Sequence, residues 1–141
     1  MDTIYKDKNK YILRLDKGEE FINSIQNFCE KENIKAGWLQ AIGSLQDLDL
    51  AYFDTKIKEY EIKNFKEFLE IANITGNIAL KEGKVFCHAH GLFSREDMDV
   101  IGGHIHRCVI SSTCEVFIFI GEGELKREFN DEVGLHLLRA N

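Results

Sequence analysis

The stretch VFCHAHGLFSREDMDVIGGHIHRC, Val85 to Cys108, decides how this chain folds. Neighbours two apart on a strand point to the same face. In an extended Val85–Gly91 segment, Phe86, His88 and His90 share one face and Cys87 and Ala89 the other. The same parity pairs His104 with His106. The intervening FSREDMD carries turn residues, so the two segments form an antiparallel hairpin. A hairpin centred near Glu96 sets His88 opposite His104 and His106 opposite Phe86.

Working outward, ITGNIALKEGKVFCHAHGLFS reads as strand, turn at Glu82-Gly83, strand. VIGGHIHRCVI and CEVFIFIGEG read as two further strands, the second too uniformly apolar to face water. KYILRLD (Lys10–Asp16) is a strand that stops at a helix signal. Asp16 and Glu19 have capping-box spacing, and Phe21, Ile22, Ile25, Phe28 and Cys29 lie on one stripe. Residues 18–33 are therefore an amphipathic helix. AGWLQAIGSLQDLDLAYFD gives two strand segments with a bend or bulge at Gly43. The polar strand KEYEIKN follows, and Asn64 with Glu67 predicts a short helix through Phe65, Phe68 and Leu69. VGLHLLRA closes the chain. The expected fold is α+β: a curled antiparallel sheet of about seven strands with one main amphipathic helix and one short helix.

The chain has 141 residues, 44% of them hydrophobic and 30% charged. A chain this long buries roughly two-thirds of its unfolded surface, so residues 1–141 read as a single domain. No apolar run approaches the ~18 residues of a membrane span, and the polar start does not read as a signal peptide. The expected location is the cytoplasm. Net charge is −6. Lys6, Lys8 and Lys10 are interrupted by Asp7 and Asn9, and no basic run follows. Nucleic-acid binders depend on neutralising phosphates, so DNA is a poor partner for the isolated domain. The cysteines, Cys29, Cys87, Cys108 and Cys114, have no CxxC spacing and read as free thiols filling the core. His136 reads as a satisfied strand histidine, and Trp38 as core or subunit interface.

His88, His90 and His104 carry the chemistry. Directly opposed strand residues have Cβ atoms ~4.5–5.5 Å apart. Three imidazoles that close form a three-nitrogen metal site with a fourth position open to water or a small molecule. Imidazole suits several divalent ions; zinc is the ion expected. Gly102 and Gly103 would let the cluster approach closely and permit a bulge that aims His104.

The ordered segments RLDKGEEF, AIGSLQDLDLAYFD, EIANITGNIAL, CHAHGLFS, VIGGHIHRC and CEVFIFIGEG resemble the PPC domain (DUF296) over about residues 10–138. Gly76-Asn77, His88-x-His90 and Gly102-Gly103-His104 carry the resemblance. It implies a compact α+β domain that assembles as a homotrimer, with the paired histidines and His104 as its metal ligands. The family's Glu before the Gly-Asn element falls on Glu70, which the resemblance suggests as a general base, a partner to a metal-bound water, or a further ligand. His106 departs from the aliphatic or small residue usual there, and would add a ligand or decorate the rim. Stand-alone prokaryotic members are often labelled DNA-binding, after relatives that carry AT-hooks. This chain has no Pro and so no Arg-Gly-Arg-Pro hook. Three functions follow in order of support: a homotrimeric metal-binding domain with a small-molecule site, a non-catalytic protein-interaction module, and a DNA binder.

Overall fold

The computed structural model describes residues 1–140, and among them nine strands and one helix. In chain order these are β1 (Asp2–Lys6), β2 (Lys10–Asp16), α1 (Phe21–Lys31), β3 (Gly37–Asp54), β4 (Glu59–Phe65), β5 (Leu69–Lys81), β6 (Lys84–Ser94), β7 (Val100–Ile120), β8 (Lys126–Asn130) and β9 (Leu135–Leu138). They form one sheet in the order β1-β2-β7-β3-β5-β8-β9. β4 pairs with β3, and β6 pairs with both β5 and β7. The long strands β3, β5, β6 and β7 thereby close into a ring, each bonded to the next. The expected curling goes as far as partial closure.

Alternation places the core. Tyr11, Leu13 and Leu15 of β2 are buried while Lys10, Arg14 and Asp16 face water. Phe21, Ile25, Phe28 and Cys29 of α1 join them in one apolar cluster with Leu39, Ile74, Phe93, Ile105 and Val116. At the bulge in β3, Gly43 has φ 151°, and a Cβ there would collide with the Thr113 carbonyl. Only glycine fits that approach. The Glu82-Gly83 turn has both residues at positive φ, 52° and 79°, as a two-residue hairpin requires.

Several expectations need correction. The strand count is nine, because the largely exposed β1 and β8 show little apolar alternation. One strand pair, β5 with β8, is parallel. VIGGHIHRCVI and CEVFIFIGEG are one continuous strand, held through its polar middle by a buried Ser111–Ser44 hydroxyl bond of 2.9 Å. No second helix forms at Asn64. Its side-chain amide donates to the Asp47 and Asp49 carboxylates, and Glu67 is taken by Arg95, so neither residue is free to cap. The cap of α1 is Glu20, not Asp16; its carboxylate accepts from Ile22 N and Asn23 N. Half of the expected box persists, since Glu19 reaches back to Asp16 N at 2.7 Å.

Candidate metal centre

β6 and β7 form the expected hairpin with a register moved by one pair. His90, not His88, lies opposite His104, and the ladder runs to Ser94 opposite Val100. The turn sets this: Arg95 N donates to Asp99 O and Met98 N to Arg95 O, with Met98 at φ 70°. A two-residue slip preserves facing, so the cluster still assembles. Beyond His104, β7 leaves β6 and continues along β3, where Ala51 opposes His104. The edge of β6 freed by this parting is met by Gln26 of α1, which accepts from Cys87 N at 3.1 Å. Glu20 accepts from Cys108 N at 3.0 Å. Two side chains, one at the cap and one in the middle of α1, thus grip the backbones that carry the histidines.

The His88, His90 and His104 ring centroids are 5.1, 5.1 and 5.2 Å apart, and one ring nitrogen of each lies within 4.8 Å of the others. Burial and the Arg127 charge push His88 down to about 4. Burial pushes His104 down to about 4 as well, helped by His90 and His106, and it lowers His90. All three are therefore neutral at pH 7, the form that donates a lone pair to a metal. Zn–N bonds are ~2.0–2.1 Å, so a small closure of the side chains brings one ion within reach of all three. The donor set fits a divalent metal.

The triangle opens on a cleft of about 490 Å³. Tyr60 of β4 stacks on His104, centroid to centroid 5.3 Å. On the other side Arg127 of β8 places Nη2 3.2 Å from His88 Nδ1 and donates to Asn77 Oδ1 at 2.9 Å. Asn77 lies directly opposite His88 across the β5–β6 ladder. Neither Tyr60 nor Arg127 was legible as a site residue. Both stand on short, mostly exposed strands far along the chain from the histidines. Asn77 carried a signal only through the family's Gly-Asn element.

His106 is exposed and reaches the cleft rim, and it is the extra residue of a bulge in β7 between Ile105 and Arg107. The bulge therefore lies at His106 and not at the glycines. A Cβ on Gly102 would sit 2.6 Å from the Gly91 carbonyl, whereas one on Gly103 would meet nothing nearer than 3.7 Å. Glu70 stands opposite Ser94, at the end of β5 remote from Asn77, and lines a separate cleft with Glu67 and Arg95. Within one chain it is not brought to the histidines. All four cysteines are free and buried. His136 lies on β9 with Nε2 3.2 Å from Glu82, and its ring meets Phe129 edge-on.

A sheet closed by four long strands, with paired histidines and a Gly-Gly-His element on adjacent strands, matches a known domain. The Plants and Prokaryotes Conserved (PCC) domain matches residues 3–121, and the chain belongs to this family. A metal-containing protein from Archaeoglobus fulgidus is 33% identical with a TM-score of 0.88, the alignment covering 99% of both chains. A plant- and prokaryote-conserved protein from Pyrococcus horikoshii is 31% identical with a TM-score of 0.88, covering 100% of this chain and 99% of the other. A Bacteroides thetaiotaomicron protein named "putative DNA binding protein" is 30% identical with a TM-score of 0.92, covering 96% and 94%. No curated protein matches the sequence.

Proposed function

We propose that the protein holds a divalent metal, zinc, on His88, His90 and His104, with the remaining coordination position open to a small molecule in the adjoining cleft. One observation carries this: three neutral imidazoles from two strands present nitrogens within 4.8 Å of one another. The metal-containing relative from Archaeoglobus fulgidus supports it. When bound, the metal supplies a Lewis acid at the cleft wall. The chain's own residues orient the ligands: Gln26 and Glu20 hold the two strand backbones, and Tyr60 supports the His104 ring. Four free, buried thiols fit a reducing cytoplasmic setting. The test is elemental analysis of protein purified without a histidine tag or chelator. About one ion per chain is expected, lost in both His88→Ala and His104→Ala. Unchanged metal in those variants ends this reading.

The same reading includes a homotrimer. Trp38 is 49% exposed beside Phe119 at 45%, its direct cross-strand neighbour, with Ile42 on the same face of β3. Apolar stripes of this kind mark protein interfaces. Light scattering with and without chelator tests it: a trimer mass in both is expected, and a monomer mass in wild type rejects it. Nucleic acid is the weaker partner. Net charge is −6, and Lys6 in the N-terminal lysine group is paired with Glu32 at 2.8 Å. No shift of duplex DNA is expected even at low salt.

A further inference from the structure

The cleft beside the histidines has a charge opposite to that of the protein. The chain carries −6, yet the cleft is lined by Arg127, Lys58 and Lys81 against one carboxylate, Glu59. Lys58 donates to the Asp131 carbonyl at 2.6 Å, which fixes the ammonium without cancelling its charge. Lys81 and Arg127 both lie over the Phe86 ring, 5.3 and 5.5 Å from its centroid. Clefts lined by one sign of charge focus the field and concentrate small ions of the other sign.

Arg127 is the group most short of an acceptor. Nη2 faces Asn77 Oδ1 and His88 Nδ1, and Nη1 donates to the His136 carbonyl at 3.0 Å. Nε is buried with no partner among the described residues. Every acceptor Arg127 has is neutral, and a part-buried guanidinium without an anion retains a desolvation cost. A neutral imidazole also has a single lone pair. His88 cannot give it to Arg127 and to a metal at once, so metal binding releases one more Nη2 donor.

We propose that the cleft binds a small organic carboxylate, its head group on Arg127 with Lys81 adding charge, and its apolar body against Phe53, Phe86 and Leu135. The planar fork of a guanidinium matches a carboxylate, and the ring-lined walls give an apolar body something to cover. A volume of about 490 Å³ lies within the range of small-ligand sites. The inference rests on the metal reading in one respect: metal on His88 frees an Arg127 donor. Carboxylate and metal therefore strengthen each other's binding by the same factor.

The experiment titrates benzoate into the full chain, zinc-loaded and metal-free, by calorimetry, with metal content measured on the same samples. Saturable binding is expected, tighter with zinc and weakened by salt. Arg127→Gln should weaken it about tenfold, the worth of one charged hydrogen bond. Lys81→Gln, a change at the cleft rim, should weaken it a few-fold and carries the test if Arg127→Gln does not fold. Benzamide, which lacks the charge, should not bind, and inorganic phosphate should bind less tightly. No saturable binding to zinc-loaded protein, or equal binding by wild type and both variants, overturns the proposal. Phosphate binding tighter than benzoate overturns the carboxylate assignment. Zinc held on the histidines with no benzoate binding sinks this inference and spares the metal reading. Benzoate bound through Arg127 by a chain that takes up no metal does the reverse.

Discussion

The two faces of the β6–β7 strand pair both lose water, the inner one fully and the outer one in part, and they differ in what that does to them. On the inner face Cys87 and Cys108 are buried, and burial pushes both thiols well above their ordinary range. On the outer face His88 and His104 are half-buried, and both are pushed down to about 4. In each case a low-dielectric setting favours the neutral form. A neutral thiol is a poor nucleophile and a poor ligand, whereas a neutral imidazole is a good ligand. One physical effect thus silences the cysteines and arms the histidines. In β6 strand parity divides Cys87 from His88, and in β7 the bulge at His106 turns Cys108 to the face opposite His104.

The largest test of that contrast is metal content. His104→Ala removes a ligand that opposes His90 and touches both partners, and metal affinity should fall by more than about a hundredfold, the upper range for losing a mere supporting group. Cys87→Ala, one residue from His88 but on the other face, should leave metal content unchanged. Equal losses in the two variants would break the comparison.

Acid comes next. The unfolded imidazoles titrate near 6.5 and the folded His88 and His104 near 4. Between those values the unfolded chain binds more protons than the folded one. Metal-free protein should therefore lose stability as pH falls from about 6.5 to about 4, and no further loss from these groups follows below that. Urea midpoints across this range measure it. A His88→Asn, His104→Asn double variant should flatten the slope, and a slope that persists would assign it to other groups.

The inner face predicts a smaller, purely structural effect. Cys108→Ser places a polar hydroxyl at a fully buried position in the apolar core and should cost about 1–3 kcal/mol with metal content unchanged. Native protein should resist alkylation at pH 8, because burial raises Cys29 and Cys114 to about 12 and Cys87 and Cys108 higher still. Rapid labelling without denaturant would contradict the burial.

Parity was the legible part of this site, and register was not. The alternation of His88, Cys87, Ala89 and His90 follows from residue order alone, and it places three histidines together although the turn moves the register by one pair. The turn itself is decided by Arg95, Met98 and Asp99, whose local hydrogen bonds give no periodic signal. The short helix expected at Asn64 failed for a related reason: its capping groups are claimed by Asp47, Asp49 and Arg95, residues distant in sequence. Arg127 and Tyr60 were invisible because partial closure of the sheet, not local pattern, brings their strands to the histidines. Glu70 carried a family signal, and the length of β5 holds it away from the cluster within the chain.

The smallest prediction divides the glycine pair, whose two members look equivalent in the sequence. A Cβ on Gly102 would lie 2.6 Å from the Gly91 carbonyl, a backbone atom that cannot turn aside, and 2.8 Å from Leu92 Cδ2. Gly102→Ala should therefore push β6 and β7 apart beside the His90–His104 pair, costing about 1–2 kcal/mol and weakening metal binding with it. Gly103 sits one residue nearer to His104, yet its added methyl would meet only the Ala51 carbonyl at 3.7 Å, an ordinary contact. Gly103→Ala should change stability by no more than about 0.5 kcal/mol and leave the metal in place. Thermal melts and metal counts on the two variants measure both. If Gly103→Ala proves the more damaging, proximity in sequence to the ligand matters more than closeness of the strands, and the steric account of the pair is wrong.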